Sequence, residues 1–207
     1  FTYPTRTRRV CFGSILKMVV KPLIWALSFC FSSVFCQVSF WGKCPDVSTK
    51  SDFNATQYLG DWFEYARYFA FFQQGQKCTK AQYTGISDGL IGVKNTATYR
   101  ISNKATFIEG VATIKDSTQP AKLTVSFLIG GVILTSSPYW VLETDYTTFS
   151  VVWSCSNMPF FNKQILWILT RARNPSQSIV DVAYEAIDAR GLNRDKLGFT
   201  DQTNCSL

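Results

Sequence analysis

The sequence predicts an all-β fold: an eight-stranded antiparallel up-and-down barrel of calyx form, with one C-terminal amphipathic helix packed outside. Three observations predict it. Past residue 57, short apolar or alternating stretches recur about every 10 to 15 residues, the rhythm of a β-barrel or sandwich. Turn-forming residues divide each stretch from the next. After Arg173-Asn174-Pro175 the apolar period changes from two to three and four.

The strands fall near 61–69, 79–86, 90–99, 105–114, 121–128, 138–144, 148–155 and 164–171. Gly75 separates the first two, Ser87-Asp88-Gly89 makes a tight turn into the third, and Ser102-Asn103 precedes the fourth. Asp116 to Pro120 ends that strand, and Gly130-Gly131 with Ser136-Ser137-Pro138 divides the fifth from the sixth. Asp145 and the run from Asn157 to Asn162 divide the last three. Eight strands with no second domain close into a barrel, because closure removes exposed sheet edges. In the helix, Ile179, Val182, Ala183, Ala186 and Ile187 form the apolar stripe, with Ser176 or Ser178 as N-cap and Gly191 as stop.

Composition narrows the function. Of 207 residues, 46% are hydrophobic and 15% aromatic, enough for one domain with a sizeable core and too apolar for disorder. There is no histidine. Ser-His-Asp and Cys-His catalytic sets, histidine metal sites and histidine-ligated haem are therefore excluded. The net charge of +7 is concentrated in residues 1–36, where Arg6, Arg8, Arg9, Lys17 and Lys21 meet no acidic residue. The remainder holds 16 basic against 14 acidic residues, so the folded body lacks the basic footprint that nucleic-acid binding needs.

The chain begins at Phe1 and its first methionine is Met18. Residues 1–17 read as upstream or non-native sequence. Residues 18–36 read as a signal peptide: Lys21 supplies the positive start, and an apolar run from Leu23 to Phe35 leads to a cut near Gln37. Two alternatives stand beside this, a membrane anchor over the uncharged stretch 23–42 and a lipid-modified Cys36. Residues 37–207 form the single mature domain, secreted and extracellular. Export removes Cys11, Cys30 and Cys36 and leaves Cys44, Cys78, Cys155 and Cys205, an even set with three possible pairings. Asn54-Ala55-Thr56 is a glycosylation sequon at Asn54, and Asn204-Cys205-Ser206 is a weaker one.

Three blocks carry a family resemblance. Tyr58-Leu59-Gly60-Asp61-Trp62 opens the first strand, Thr144-Asp145-Tyr146 forms a later turn, and Trp167-Ile168-Leu169-Thr170-Arg171 ends the last strand. In this order and spacing they resemble the three signature regions of the lipocalins. Gly42-Lys43-Cys44-Pro45, Pro120-Ala121-Lys122-Leu123, Pro138-Tyr139-Trp140, Ser154-Cys155 and the ending Thr200 to Cys205 further resemble the apolipoprotein D subfamily and its invertebrate relatives. The resemblance spans residues 42–205 and departs at 128–136 and at Arg171-Ala172-Arg173.

The resemblance implies a calyx closed at one end, with Trp62 filling the floor and Arg171 lying across its indole. Gly60, Trp62, Thr144, Asp145, Tyr146 and Arg171 are then determinants of the fold. It implies disulfides Cys44–Cys155 and Cys78–Cys205. It places Tyr83, Asn95, Phe127, Tyr139, Trp167 and Leu169 at pocket-lining positions, where these aromatics either line a cavity or fill the barrel solidly. Alternation agrees for the last strand: with Arg171 inward, Leu169 and Trp167 point inward too. The same parity from Trp62 puts Glu64 and Ala66 inside and Phe63 and Tyr65 outside.

The expected function is a secreted carrier for a small hydrophobic ligand of the fatty acid, sterol, retinoid, carotenoid or bilin class, with no cofactor and no metal. Enzymatic action, as in the lipocalin branch that isomerises a prostaglandin with a free cysteine, conflicts with four paired cysteines. The alternative is a pigment-complex subunit or a scavenger on lipid surfaces. That reading rests on two apolar stretches at 68–72 and 128–134, whose exposed tips would meet a lipid surface or lipoprotein; the alternative is that they fold down as a lid or that the strands run longer than their patterns.

Overall fold

A computed structural model of the chain describes residues 37–129 and 132–205. The expected leader 18–36, the stretch before it, the lipid-modified Cys36, the anchor alternative up to residue 36, and Gly130-Gly131 lie outside the described residues. Eight strands form the barrel: β2 (Gly60–Tyr68), β3 (Gln76–Ser87), β4 (Leu90–Tyr99), β5 (Ala105–Ile114), β6 (Lys122–Ile129), β7 (Val132–Thr144), β8 (Phe149–Asn157) and β9 (Phe161–Thr170). Each pairs antiparallel with the next, and β9 closes the barrel on β2.

Two short strands were not expected. β1 (Val38–Trp41) pairs with the first half of β9, and β10 (Leu197–Phe199) pairs with the second half of β2. Their positions have one cause. β2 pairs with β3 only over Gly60–Phe63, and with β9 only from Phe63 to Arg67, so each of these strands has a free stretch that a terminal strand covers.

Several strands run longer than their sequence patterns. β7 starts at Val132, not near 138, because β6 and β7 stay paired from Lys122↔Trp140 to Ile129↔Val132 despite Pro138 within the run. The stretch 132–137 is thus strand, the longer-strand alternative and not the loop. The register of β2 also changes. A bulge between Glu64 and Ala66 sets Ala66 opposite outward Ile168 and Arg67 opposite inward Trp167. Ala66 therefore faces outward, contrary to simple alternation, and Arg67 enters the interior.

The C-terminal helix, Gln177–Asp188, begins after Ser176 and packs on β7 and β8. Its buried stripe is Val180, Ala183, Ala186 and Ile187, whereas Val182, expected inside, is 46% exposed. Positions 180, 183 and 187 share one face, and 182 lies about 100° away from it per residue step. Gly191 ends the helix at φ +65°, a backbone that favours glycine, and its N–H bonds the Asp188 carbonyl.

Two apolar cores result. One fills the lower barrel around Tyr58, Trp62, Val93, Leu123 and Val152. The other lies between the barrel wall and the helix, around Tyr68, Leu142, Trp153, Ile168 and Ile187. Disulfides Cys44–Cys155 and Cys78–Cys205 tie the two terminal segments to β8 and β3.

Candidate functional site, the calyx and its floor

The floor is built from the start of β2. Trp62 is fully buried, and its Nε1 donates to the Tyr58 carbonyl at 2.9 Å. Arg171 lies over the indole with its guanidinium carbon 3.7 Å from the ring centroid. The same guanidinium donates to the carbonyls of Asp61 at 2.8 Å, Leu59 at 2.9 Å, Tyr146 at 3.0 Å and Gln57 at 3.3 Å. Gly60 sits beneath it at φ +98°, and a Cβ there would stand 3.2 Å from Arg171 Nη1. The backbone favours glycine, and a side chain there would also press on the guanidinium.

The turn after β7 locks the same end. Asp145 Oδ1 accepts from the backbone N–H of Thr147, Thr148 and Phe149 at 2.8 to 3.1 Å, and Oδ2 accepts from the Thr148 hydroxyl. Burial opposes the charged form, yet these bonds together hold the Asp145 carboxyl below its usual range. Tyr146 takes φ +66°, its N–H bonds Thr144 Oγ1 at 2.9 Å, and its hydroxyl receives the Asn54 N–H at 2.9 Å. Asn54 itself is exposed and caps the one-turn helix Ala55–Tyr58 through Oδ1.

Above the floor rises a ladder of rings. Tyr58 stacks on Trp62 with centroids 5.1 Å apart, Tyr83 lies 5.3 Å from Tyr58, Tyr139 6.1 Å from Tyr83, and Trp167 6.5 Å from Tyr139. The hydroxyls form a chain: Ser150 to Tyr58 at 3.0 Å, Tyr58 to Tyr139 at 3.1 Å, and Tyr139 to Tyr83 at 2.6 Å. Burial pushes the Tyr58 hydroxyl up to about 12 and raises those of Tyr83 and Tyr139 well above their usual value.

Beyond the ladder the barrel is hollow. A cavity of about 770 Å³ opens at the end opposite Trp62. Tyr83, Asn95, Phe127, Tyr139, Trp167 and Leu169 all line it, brought together from β3, β4, β6, β7 and β9. Space remains because Ala81, Ala97, Ser137 and Ser154 also face it and fill little volume. The barrel is lined by its aromatics and not packed solid.

One wall is polar, and sequence reasoning missed most of it. Glu64 Oε1 accepts from Arg67 Nη1 at 2.7 Å and from the Thr200 hydroxyl, and Oε2 accepts from Gln73 Nε2 at 2.7 Å. Gln73 also accepts from Trp167 Nε1 at 3.3 Å, so a turn at the mouth is pinned to the pocket wall. Gln73 gave no sequence signal, because a lone glutamine beside Phe71-Phe72 reads as loop. Tyr58 had one, since it stands within the first signature block. Alternation gave no direction for it because it precedes the strand.

The apolar stretch 68–72 divides. Tyr68 is fully buried and donates to the Asn193 carbonyl at 2.7 Å, and Ala70 is buried, while Phe69, Phe71 and Phe72 are about half exposed or more. In the second stretch Val132 and Ile133 are exposed on the β6–β7 hairpin.

Comparison with known proteins follows this geometry. The family model described as a lipocalin-like domain matches residues 53–202. Apolipoprotein D of Cavia porcellus is 35% identical over 170 residues, 82% of this chain and 87% of that protein. The Lazarillo protein of Schistocerca americana is 30% identical over 181 residues, 83% of this chain and 80% of that one. Among solved structures, insecticyanin from the tobacco hornworm Manduca sexta shares the fold with TM-score 0.74 at 22% identity, covering 81% of this chain and 90% of its own. With a closed eight-stranded barrel, an arginine-capped tryptophan floor and these relatives, the chain belongs to the lipocalin family.

Proposed function

We propose that this protein is an exported carrier that holds one small hydrophobic molecule in its calyx. The cavity carries the reading: about 770 Å³, open at one end, walled by Tyr83, Phe127, Tyr139, Trp167 and Leu169. Sites of roughly 300 to 1,000 Å³ with aromatic walls and few polar groups suit single small ligands. Affinity comes from apolar burial at about 25 cal/mol per Å², and no side chain has to react. Paired cysteines fit an oxidising compartment, and exposed Asn54 presents its sequon to solvent.

Native mass spectrometry and an absorbance spectrum of protein purified from its source test the reading. One adduct per chain, released on denaturation, is expected; visible colour would mark a bilin or carotenoid, and an ultraviolet-only adduct a lipid or retinoid. Bare polypeptide that also takes up neither retinol nor palmitate would contradict it.

A second reading, contact with a lipid surface, is favoured by the rim. In a meander, alternate turns lie at one end, so the β2–β3, β4–β5, β6–β7 and β8–β9 connections all surround the mouth. Exposed Phe71, Phe72, Ile101, Val132, Ile133 and Phe160 belong to these connections or their strand ends. The reading expects co-sedimentation with phosphatidylcholine vesicles that Phe71→Ser with Phe72→Ser abolishes. Equal sedimentation of both forms would remove it.

A further inference from the structure

The hydroxyl chain at the floor of the calyx has more protons than it can use. Ser150, Tyr58, Tyr139 and Tyr83 carry four hydroxyl protons and make three mutual contacts, each of which consumes one. One proton is left over, and where it sits depends on which hydroxyl does not donate within the chain.

The four possibilities differ sharply. Were the idle donor Ser150 or Tyr58, its O–H would be sealed in the floor, since these residues are 0% and 1% exposed and neither lines the cavity. Among the described residues, no further hydrogen-bond partner meets either hydroxyl. A buried donor without an acceptor is costly. Were it Tyr139 or Tyr83, the O–H would belong to a residue that lines the cavity. The chain therefore runs inward from Ser150 through Tyr58, and its spare donor is delivered to the Tyr139–Tyr83 pair. Burial holds both phenols in the protonated form, so the donor persists at neutral and alkaline pH.

We infer that the inner end of the calyx recognises a hydrogen-bond acceptor, so that the ligand it selects carries a carbonyl, ether or hydroxyl oxygen at the end that enters first. A purely hydrocarbon terminus would leave the tyrosine proton unpaired in a dry site. The inference rests on the carrier reading and gives it a chemical direction: oxygen at the floor, apolar body against Phe127 and Trp167.

A matched pair of small probes tests it. 2-Acetylnaphthalene and 2-ethylnaphthalene have nearly the same shape and differ in one acceptor oxygen. Their dissociation constants are measured by calorimetry with the whole protein, with Tyr83→Phe/Tyr139→Phe, and with Tyr58→Phe. The double variant removes the hydroxyls of both cavity-lining tyrosines and leaves the Tyr58–Ser150 contact in place. Tyr58→Phe disturbs the floor as well, yet leaves the Tyr83 and Tyr139 hydroxyls sharing one contact, and so keeps the spare donor. The affinity ratio of ketone to hydrocarbon is expected to fall about tenfold in the double variant and to change less than threefold in Tyr58→Phe. A ratio unchanged in the double variant while the hydrocarbon still binds would overturn the inference and leave the carrier reading standing. Failure of the parent protein to bind either probe would overturn the inference, and the carrier reading falls with it only where retinol and palmitate are refused as well.

Discussion

Arg171 serves two surfaces with one guanidinium, stacking on Trp62 while donating to four carbonyls from two segments of chain. Arg171→Ala removes the cation-aromatic contact and leaves carbonyls unpaired, so a loss of about 3 kcal/mol in urea denaturation is expected. Ligand preference should not change, because the site lies beneath the floor; a changed preference at equal stability would contradict this. Asp145 supplies a pH dependence of known sign. Its carboxyl is held below the ordinary value of 3.8, so its contribution is present above about pH 4 and is lost as pH falls through the lower folded value. The group is largely exposed, so the effect is under about 1 kcal/mol. Asp145→Asn is expected to flatten the stability curve below pH 4, and an unchanged acid limb would refute the assignment. Trp167→Ala should weaken ligand binding by about 1 to 3 kcal/mol, measured by calorimetry with retinol, if the indole packs on the ligand. At this scale the signature residues were legible because motif spacing marks them. Gln73 and Arg67 were not, since their roles depend on a bulge and a turn that join segments distant in sequence.

Among the elements, β2 shows most clearly what pattern alone misses. Alternation holds from Trp62 to Glu64, then the bulge reverses it, carrying Ala66 outward and Arg67 in. Nothing in Tyr65-Ala66-Arg67 announces the bulge; it arises where β2 leaves β3 and takes β10 as its neighbour. The C-terminal helix was found by its period, but Val180 and not Val182 meets the barrel, a matter of helix rotation that the wall decides. The disulfide Cys78–Cys205 fastens the tail whose Thr200 and Gln202 bond Glu64 and Thr79. Replacing both cysteines with serine is expected to cost about 2 to 5 kcal/mol of stability and to release Gln202 from the wall. Hydrogen exchange is the check: protection should fall in β10 and at position 78, whose N–H bonds the Asp201 carbonyl at 2.8 Å, and retention of full protection would show that the tail is held without the bridge.

For the whole molecule, the eight barrel strands and their up-and-down order were readable, because turn residues punctuate a meander regularly. Whether the barrel is hollow was not. That depends on summed side-chain volumes across strands, and the small residues Ala81, Ala97, Ser137 and Ser154 have no mark in sequence that says they face one another. Hollowness is what makes a carrier of this fold, so the carrier function requires a ligand entering beside Trp167. Titration with retinol, followed by tryptophan emission in the parent and in Trp167→Phe, measures that directly. Quenching is expected to saturate at one retinol per chain and to be largely lost in Trp167→Phe, with Trp62 contributing the remainder from the floor. Absent quenching, or equal quenching in both correctly folded proteins, would contradict the carrier function.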